Sequence, residues 1–129
     1  MKGQLSPALI SECKERLLNA KRDILNRVRN AAQEYRSMDR SGGDEADQTM
    51  SVLREHEFLS DQERMRAQLM EIEFALARIE HGVYGICEET DEPIEIERLR
   101  ALPWTRVSIE GAEIREAMRQ RFARPKGLT

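Results

Sequence analysis

The sequence predicts a mostly α protein in which a long antiparallel coiled-coil hairpin precedes a small C-terminal module and a closing helix. Three observations lead there. Two long stretches repeat their apolar residues at steps of three and four, the spacing of a helix with one buried face. A short acidic bend with two adjacent glycines separates them. Finally, 129 residues of which only 5% are aromatic and 35% are charged leave too little apolar material for a large globular core.

The first helix opens at Ser6-Pro7. The serine side chain can accept a free N–H of the first turn, and proline lacks the donor that this turn would waste. Ile10, Cys13, Leu17, Ala20, Ile24, Val28, Ala31, Tyr35 and Met38 then form a seam for one partner helix. Cys13 lies within it and reads as a small buried apolar residue. Charged residues occupy the other faces, with Glu12 and Arg16 placed for an i,i+4 pair.

The bend at 41–49 reads Ser-Gly-Gly-Asp-Glu-Ala-Asp-Gln-Thr. Gly42 and Gly43 allow the chain to reverse, and Asp44 or Asp47 can cap the helix that follows. Taken locally it is a polar hairpin loop. That next helix runs from about Glu45 to Glu80, with a seam of Met50, Leu53, Phe58, Met65, Leu69, Ile72, Leu76 and Ile79, weakest where Glu57 and Asp61 interrupt it. Helices of about thirty residues are ~45 Å long, so two joined by a tight bend run antiparallel with the bend at the far end. His56 and His81 have no companion ligands at metal spacing and read as surface histidines. Gly82 is placed to stop the helix in a left-handed cap.

Beyond Gly82 comes a compact stretch with turn residues, then a short helix around Ile96–Ala101. Leu102-Pro103-Trp104 reads as extended chain because proline disfavours helix at its predecessor. A last amphipathic helix covers 110–122, with Ile114, Ala117, Met118 and Phe122 on one side, and 124–129 forms a tail. These readings divide the chain at 81/82, into a hairpin (1–81, tip at 41–49) and a C-terminal module (82–129). Val83, Ile86, Ile94, Ile96, Leu99, Leu102, Trp104, Val107 and Ile109 are the candidates for the module's core, with Trp104 its largest piece.

Several function classes are disfavoured. With 21 basic and 24 acidic residues spread along the chain, net charge −3, no basic stripe marks a direct, sequence-specific DNA contact. No apolar run would span a bilayer and the opening residues lack a signal-peptide core, so a cytoplasmic protein without a membrane partner is expected. The two cysteines, Cys13 and Cys87, suit a reducing compartment. A nucleophile with a base, a phosphate loop and a histidine pair are all missing, and no enzyme or cofactor is expected.

Tyr84-Gly-Ile-Cys87, Ile94-x-x-x-Arg98-Leu99-x-Ala-x-Pro103 and Ala112-Glu-Ile-Arg-Glu116 together resemble the DksA/TraR family of zinc-finger regulators of bacterial RNA polymerase. The likeness extends over essentially the whole chain. Family members carry four zinc-binding cysteines, and the matching positions here are Cys87, Thr90, Ser108 and Gly111. Hydroxyls are poor zinc donors and glycine offers none, so the resemblance implies a degenerate zinc-finger-like module without zinc.

The resemblance also implies that the coiled coil enters the polymerase secondary channel and brings Asp44 and Asp47 near the active centre. There the carboxylates would act electrostatically rather than as acid and base. Thr49 stands where the family pattern has alanine. For the alarmone guanosine tetraphosphate, linked to the stringent response, the basic positions of the family correspond to Glu71, Leu102 and Ala112, leaving Arg98. Poor or absent synergy with the nucleotide follows. Two other roles are compatible with a hairpin of this kind: a Gre-like cleavage stimulator, disfavoured by the lack of that family's C-terminal domain, and a structural coiled-coil adaptor with no polymerase role. A hairpin that satisfies its own seam predicts a monomer.

Overall fold

The structure, a computed structural model, describes residues 5–38 and 45–123. Its elements are α1 (Pro7–Met38), α2 (Glu45–Glu80), α3 (Ile96–Ala101) and α4 (Ile109–Ala123). Among the described residues no strand forms, and one isolated antiparallel bridge joins Ile86 to Pro93. The fold class is the one predicted. Gly42, Gly43 and Asp44 of the bend, and the tail at 124–129, lie outside the described residues. Among the described residues no helix is long and apolar enough to cross a membrane.

Contacts group the chain into two compact units. One combines the described residues up to Leu17 with those from Phe74 onward, and the other is Leu18–Glu73. The division by sequence follows the point where α2 stops. The division by contacts instead falls inside both long helices, because the opening turns of α1 and the last turns of α2 pack with the C-terminal module.

In Leu18–Glu73 the two helices pair antiparallel. Lys21 Nζ meets Glu73 at 3.1 Å, while Tyr35 and Phe58 stack with ring centroids 4.3 Å apart and planes 14° from parallel. Ile24, Met65 and Ile72 are buried along this seam, and Val28, Ala31 and Leu69 are half-buried. Three seam assignments do not hold: Met38, Met50 and Leu53 are exposed. Continuing the step of three and four back from Ile72, Met65 and Phe58 arrives at Arg54 and Ser51, which are the half-buried residues there. The apolar side chains one position earlier therefore point outward. Gln62 also falls on the inner face, and its amide nitrogen is buried with no hydrogen-bond partner among the described residues.

The other unit begins with the Ser6 cap, whose Oγ accepts the Leu9 N–H at 3.1 Å. Leu9, Cys13, Leu17, Ala75, Tyr84, Cys87, Ile94, Leu99 and Val107 are buried, with Cys13, Leu17, Ala75, Cys87 and Leu99 showing no exposed surface. Helix α2 ends in a Schellman motif. Val83 N–H reaches the Arg78 carbonyl at 3.0 Å and Gly82 N–H the Ile79 carbonyl at 3.2 Å, with Gly82 at φ +72° in the left-handed region. The core of this unit differs from the expected set. Val83, Ile96, Leu102 and Ile109 are exposed and Trp104 is only half-buried. Tyr84 is the large aromatic piece instead, because its hydroxyl finds a buried acceptor in the Pro103 carbonyl at 2.7 Å. The Ile114, Met118 and Phe122 face of α4 is likewise exposed.

Candidate functional site

Of the tip residues singled out from sequence, Asp44 lies outside the described residues. Asp47 and Thr49 fall on the opening turns of α2, both exposed. Asp47 is the third residue of the helix rather than its cap. Negative charge in this first turn is favourably placed against the helix dipole.

In the C-terminal module a tight turn carries Cys87 and Thr90. Cys87 N–H donates to the Glu92 carbonyl at 2.8 Å and Asp91 N–H to the Cys87 carbonyl at 2.9 Å. Asp91 takes φ 61°, a left-handed conformation that aspartate tolerates in turns. Thr90 Oγ1 braces the same turn by accepting the Glu92 N–H at 3.2 Å. Across from it, Ser108 precedes α4 and acts as its cap, with Oγ accepting the Gly111 N–H at 3.1 Å. Glu88 N–H donates to the Arg106 carbonyl at 2.9 Å, fixing the turn against this second segment.

The result is that Cys87, Thr90, Ser108 and Gly111 converge. The polar groups of Ser108 and Thr90, side chain and backbone, act on the Cys87 thiol and favour its ionised form. Burial alone would push this thiol up, but the polar groups of Ser108 and Thr90 favour the thiolate more strongly and bring it down to about 7. Gly111 packs directly on the sulfur: a Cβ added to it would collide with Cys87 Sγ. The sulfur has no exposed surface, so its acidity is not matched by access for a reagent.

Ion pairs that the sequence reading did not single out flank this cluster. Glu88 lies between Arg106 and Arg115 at 3.2 and 3.1 Å, and Arg115 also meets Glu89 at 2.8 Å. Burial pushes the Glu88 carboxyl up, yet the two guanidinium groups outweigh it and hold the group below the usual carboxylate range. Hydrogen bonding to Glu89 in turn raises Arg115. Only Arg115 carried a signal in the sequence, through its place in the Ala112-Glu-Ile-Arg-Glu116 segment. Arg106 also sits 5.0 Å above the Phe74 ring. Two further arginines serve the backbone. Arg98 Nε donates to the Val107 carbonyl at 2.8 Å, and Arg78 to the carbonyls of Trp104 and Thr105 at 3.2 and 3.4 Å.

The model of the prokaryotic dksA/traR C4-type zinc finger matches residues 82–117. The RNA polymerase-binding transcription factor DksA of Caulobacter vibrioides is 36% identical over 111 residues, covering 86% of this chain and 78% of that protein. The chain belongs to the DksA/TraR family. An uncharacterized Aquifex aeolicus protein is 33% identical over 84% of this chain and 77% of its own length. Among solved structures, transcription factor DksA2 from Pseudomonas aeruginosa superposes with a TM-score of 0.79 at 32% identity, covering 90% of this chain and 88% of that one. A Chlamydia trachomatis RNA polymerase-binding protein and transcriptional regulator shares the fold at 22% identity and a TM-score of 0.55, over 89% and 95% of the two chains.

A C4-type finger implies zinc, and the residues of this DksA/TraR member do not fit it. The four positions offer one thiol, two hydroxyls and no fourth side chain, whereas a structural zinc takes four sulfur or imidazole donors. Among the described residues, no group of three or more His, Cys, Asp or Glu is arranged to hold a metal.

Proposed function

We propose that this chain is a non-enzymatic transcription regulator that binds bacterial RNA polymerase through the secondary channel and places its acidic tip, Asp44, Asp47 and Thr49, near the active centre. The observation that carries this reading is the 36% identity with a polymerase-binding transcription factor over 86% of this chain, a span too long for the hairpin or the module alone. Carboxylates at the tip would act through their field on the metal-bound active centre or on mobile elements beside it. The threonine hydroxyl and β-branch at 49 distinguish this tip from the alanine of the family pattern.

Synergy with guanosine tetraphosphate is proposed to be weak. Glu71, Leu102 and Ala112 offer phosphates no positive charge, and Arg98 is already committed to the Val107 carbonyl. The proposed acting form is a monomer in the cytoplasm.

A pull-down with purified core polymerase tests the reading, followed by transcription from a ribosomal RNA promoter. Binding is expected, and Asp47→Asn is expected to keep it while abolishing the effect on transcription. Failure of the wild-type chain to bind would overturn the proposal and favour a coiled-coil adaptor. Stimulated cleavage of backtracked transcripts would instead favour a Gre-like role. Added nucleotide is expected to change the promoter effect little.

A further inference from the structure

The disagreement between a C4-type family and this donor set has a definite form in space. In a four-thiolate zinc site the sulfurs stand ~2.3 Å from the metal, hence about 3.8 Å from one another, with each Cβ further out still. Here a Cβ on Gly111 would collide with Cys87 Sγ while standing 3.0 Å from Val107 Cβ and 3.4 Å from Glu89 Cβ. The room that a fourth ligand and the metal would share already holds the Cys87 sulfur.

The polar groups of Ser108 and Thr90 also favour the ionised form of that sulfur. Both hydroxyls are tied in turn to the chain, Ser108 Oγ to the Gly111 N–H at 3.1 Å and Thr90 Oγ1 to the Glu92 N–H at 3.2 Å. Thr90 and Ser108 thus brace the chain around the sulfur, and Gly111 leaves the space that the sulfur needs. A metal-stabilised module gains folding free energy from ligation, and here packing and hydrogen bonds around one sulfur stand in that place.

We propose that Cys87 is a plug: its sulfur fills the centre of the finger so that the module folds without metal, and Gly111 is the residue that makes room for it. The proposal is independent of polymerase binding, since it concerns only how the module is held together.

Metal content and thermal unfolding of the full chain test it. Purified protein is expected to contain far less than one zinc per chain, and a strong chelator such as EDTA is expected to leave its melting temperature unmoved. Stoichiometric zinc, or a melting temperature lowered by chelation, would overturn the proposal. Gly111→Ala is expected to lower the melting temperature by about 5–10 °C through overpacking, against the helix-propensity gain that alanine normally brings. Removing the sulfur should relieve this, so Cys87→Ala/Gly111→Ala is expected to melt well above the sum of the two single shifts. A neutral Gly111→Ala, or strictly additive shifts, would show that the sulfur does not fill the centre. If Gly111→Ala is too unstable to purify, a double variant that folds still supports the plug, and one that is equally unstable refutes it.

Discussion

The two compact units are built from the same long helices yet held by different chemistry. Leu18–Glu73 relies on a repeating seam, and along α2 that seam loses its apolar character toward the start of the helix, where Ser51, Arg54 and Gln62 take inner positions. The unit around the C-terminal module has little periodicity. It is fixed by side chains without exposed surface and by polar contacts between residues distant in the chain, among them Tyr84 to Pro103, Arg78 to Trp104 and Thr105, and Arg98 to Val107. Of the largest fully buried side chains, Leu17, Leu99, Cys13 and Cys87 belong here and Ile72 alone to the seam. A seam tolerates local change because each layer touches only its neighbours, whereas a module closed by single contacts does not.

Leu99→Ala should expose this difference most strongly. Emptying a position with no exposed surface is expected to cost about 3 kcal/mol, measured by denaturant unfolding. Hydrogen exchange should show the loss concentrated in the module, and equal loss of protection throughout Leu18–Glu73 would break the comparison.

A second contrast comes from pH. The Cys87 thiol ionises at about 7 in the folded chain against 9.0 ordinarily, so the folded state releases its proton first. The resulting stabilisation is present above pH 9 and is lost as pH falls through 7, amounting to about 3 kcal/mol. Stability should therefore rise from pH 7 to 9 in the wild type and stay flat in Cys87→Ala. A wild-type profile that is also flat over this range would remove the special role of this sulfur.

Within the seam, a double-mutant cycle on Tyr35 and Phe58 is expected to yield a coupling of about 1 kcal/mol for their stacked rings. Zero coupling would mean that this layer contributes only burial. The smallest effect is expected outside it: Met50→Gln and Leu53→Gln should each change stability by less than about 0.5 kcal/mol, because both residues are exposed. A larger loss would put them back on the inner face.

Much of the helical framework was legible in the sequence. Ser6-Pro7 and Gly82 mark ends whose hydrogen bonds are local, and Ile96–Ala101 is bounded by Pro93 and Pro103. The phase of the seam through 50–54 was not legible, since two exposed apolar residues there mimic a register shifted by one. The module's core was not legible either. Its short segments have no period, and whether Trp104 or Tyr84 goes inside depends on which finds a partner for its polar atom. For the candidate site, nothing in local spacing brings Cys87 and Thr90 to Ser108 and Gly111, and only likeness to a family linked them. The fit of Gly111 against the Cys87 sulfur is a matter of tenths of an ångström, beyond any sequence pattern.

The contact between Cys13 and Leu99, where the thiol points at the Leu99 carbonyl, joins residues 86 apart in the chain. Closing a loop of that length in an unstructured chain costs about 4 kcal/mol of entropy. Helix pairing between them, as seen from Tyr35 and Phe58 down to Lys21 and Glu73, shortens the effective loop before the ends must meet. The order of events in folding is thereby constrained. Weakening Ile24 or Ile72 is expected to slow refolding, whereas weakening Leu99 should chiefly hasten unfolding, a division that the two arms of a chevron plot would display.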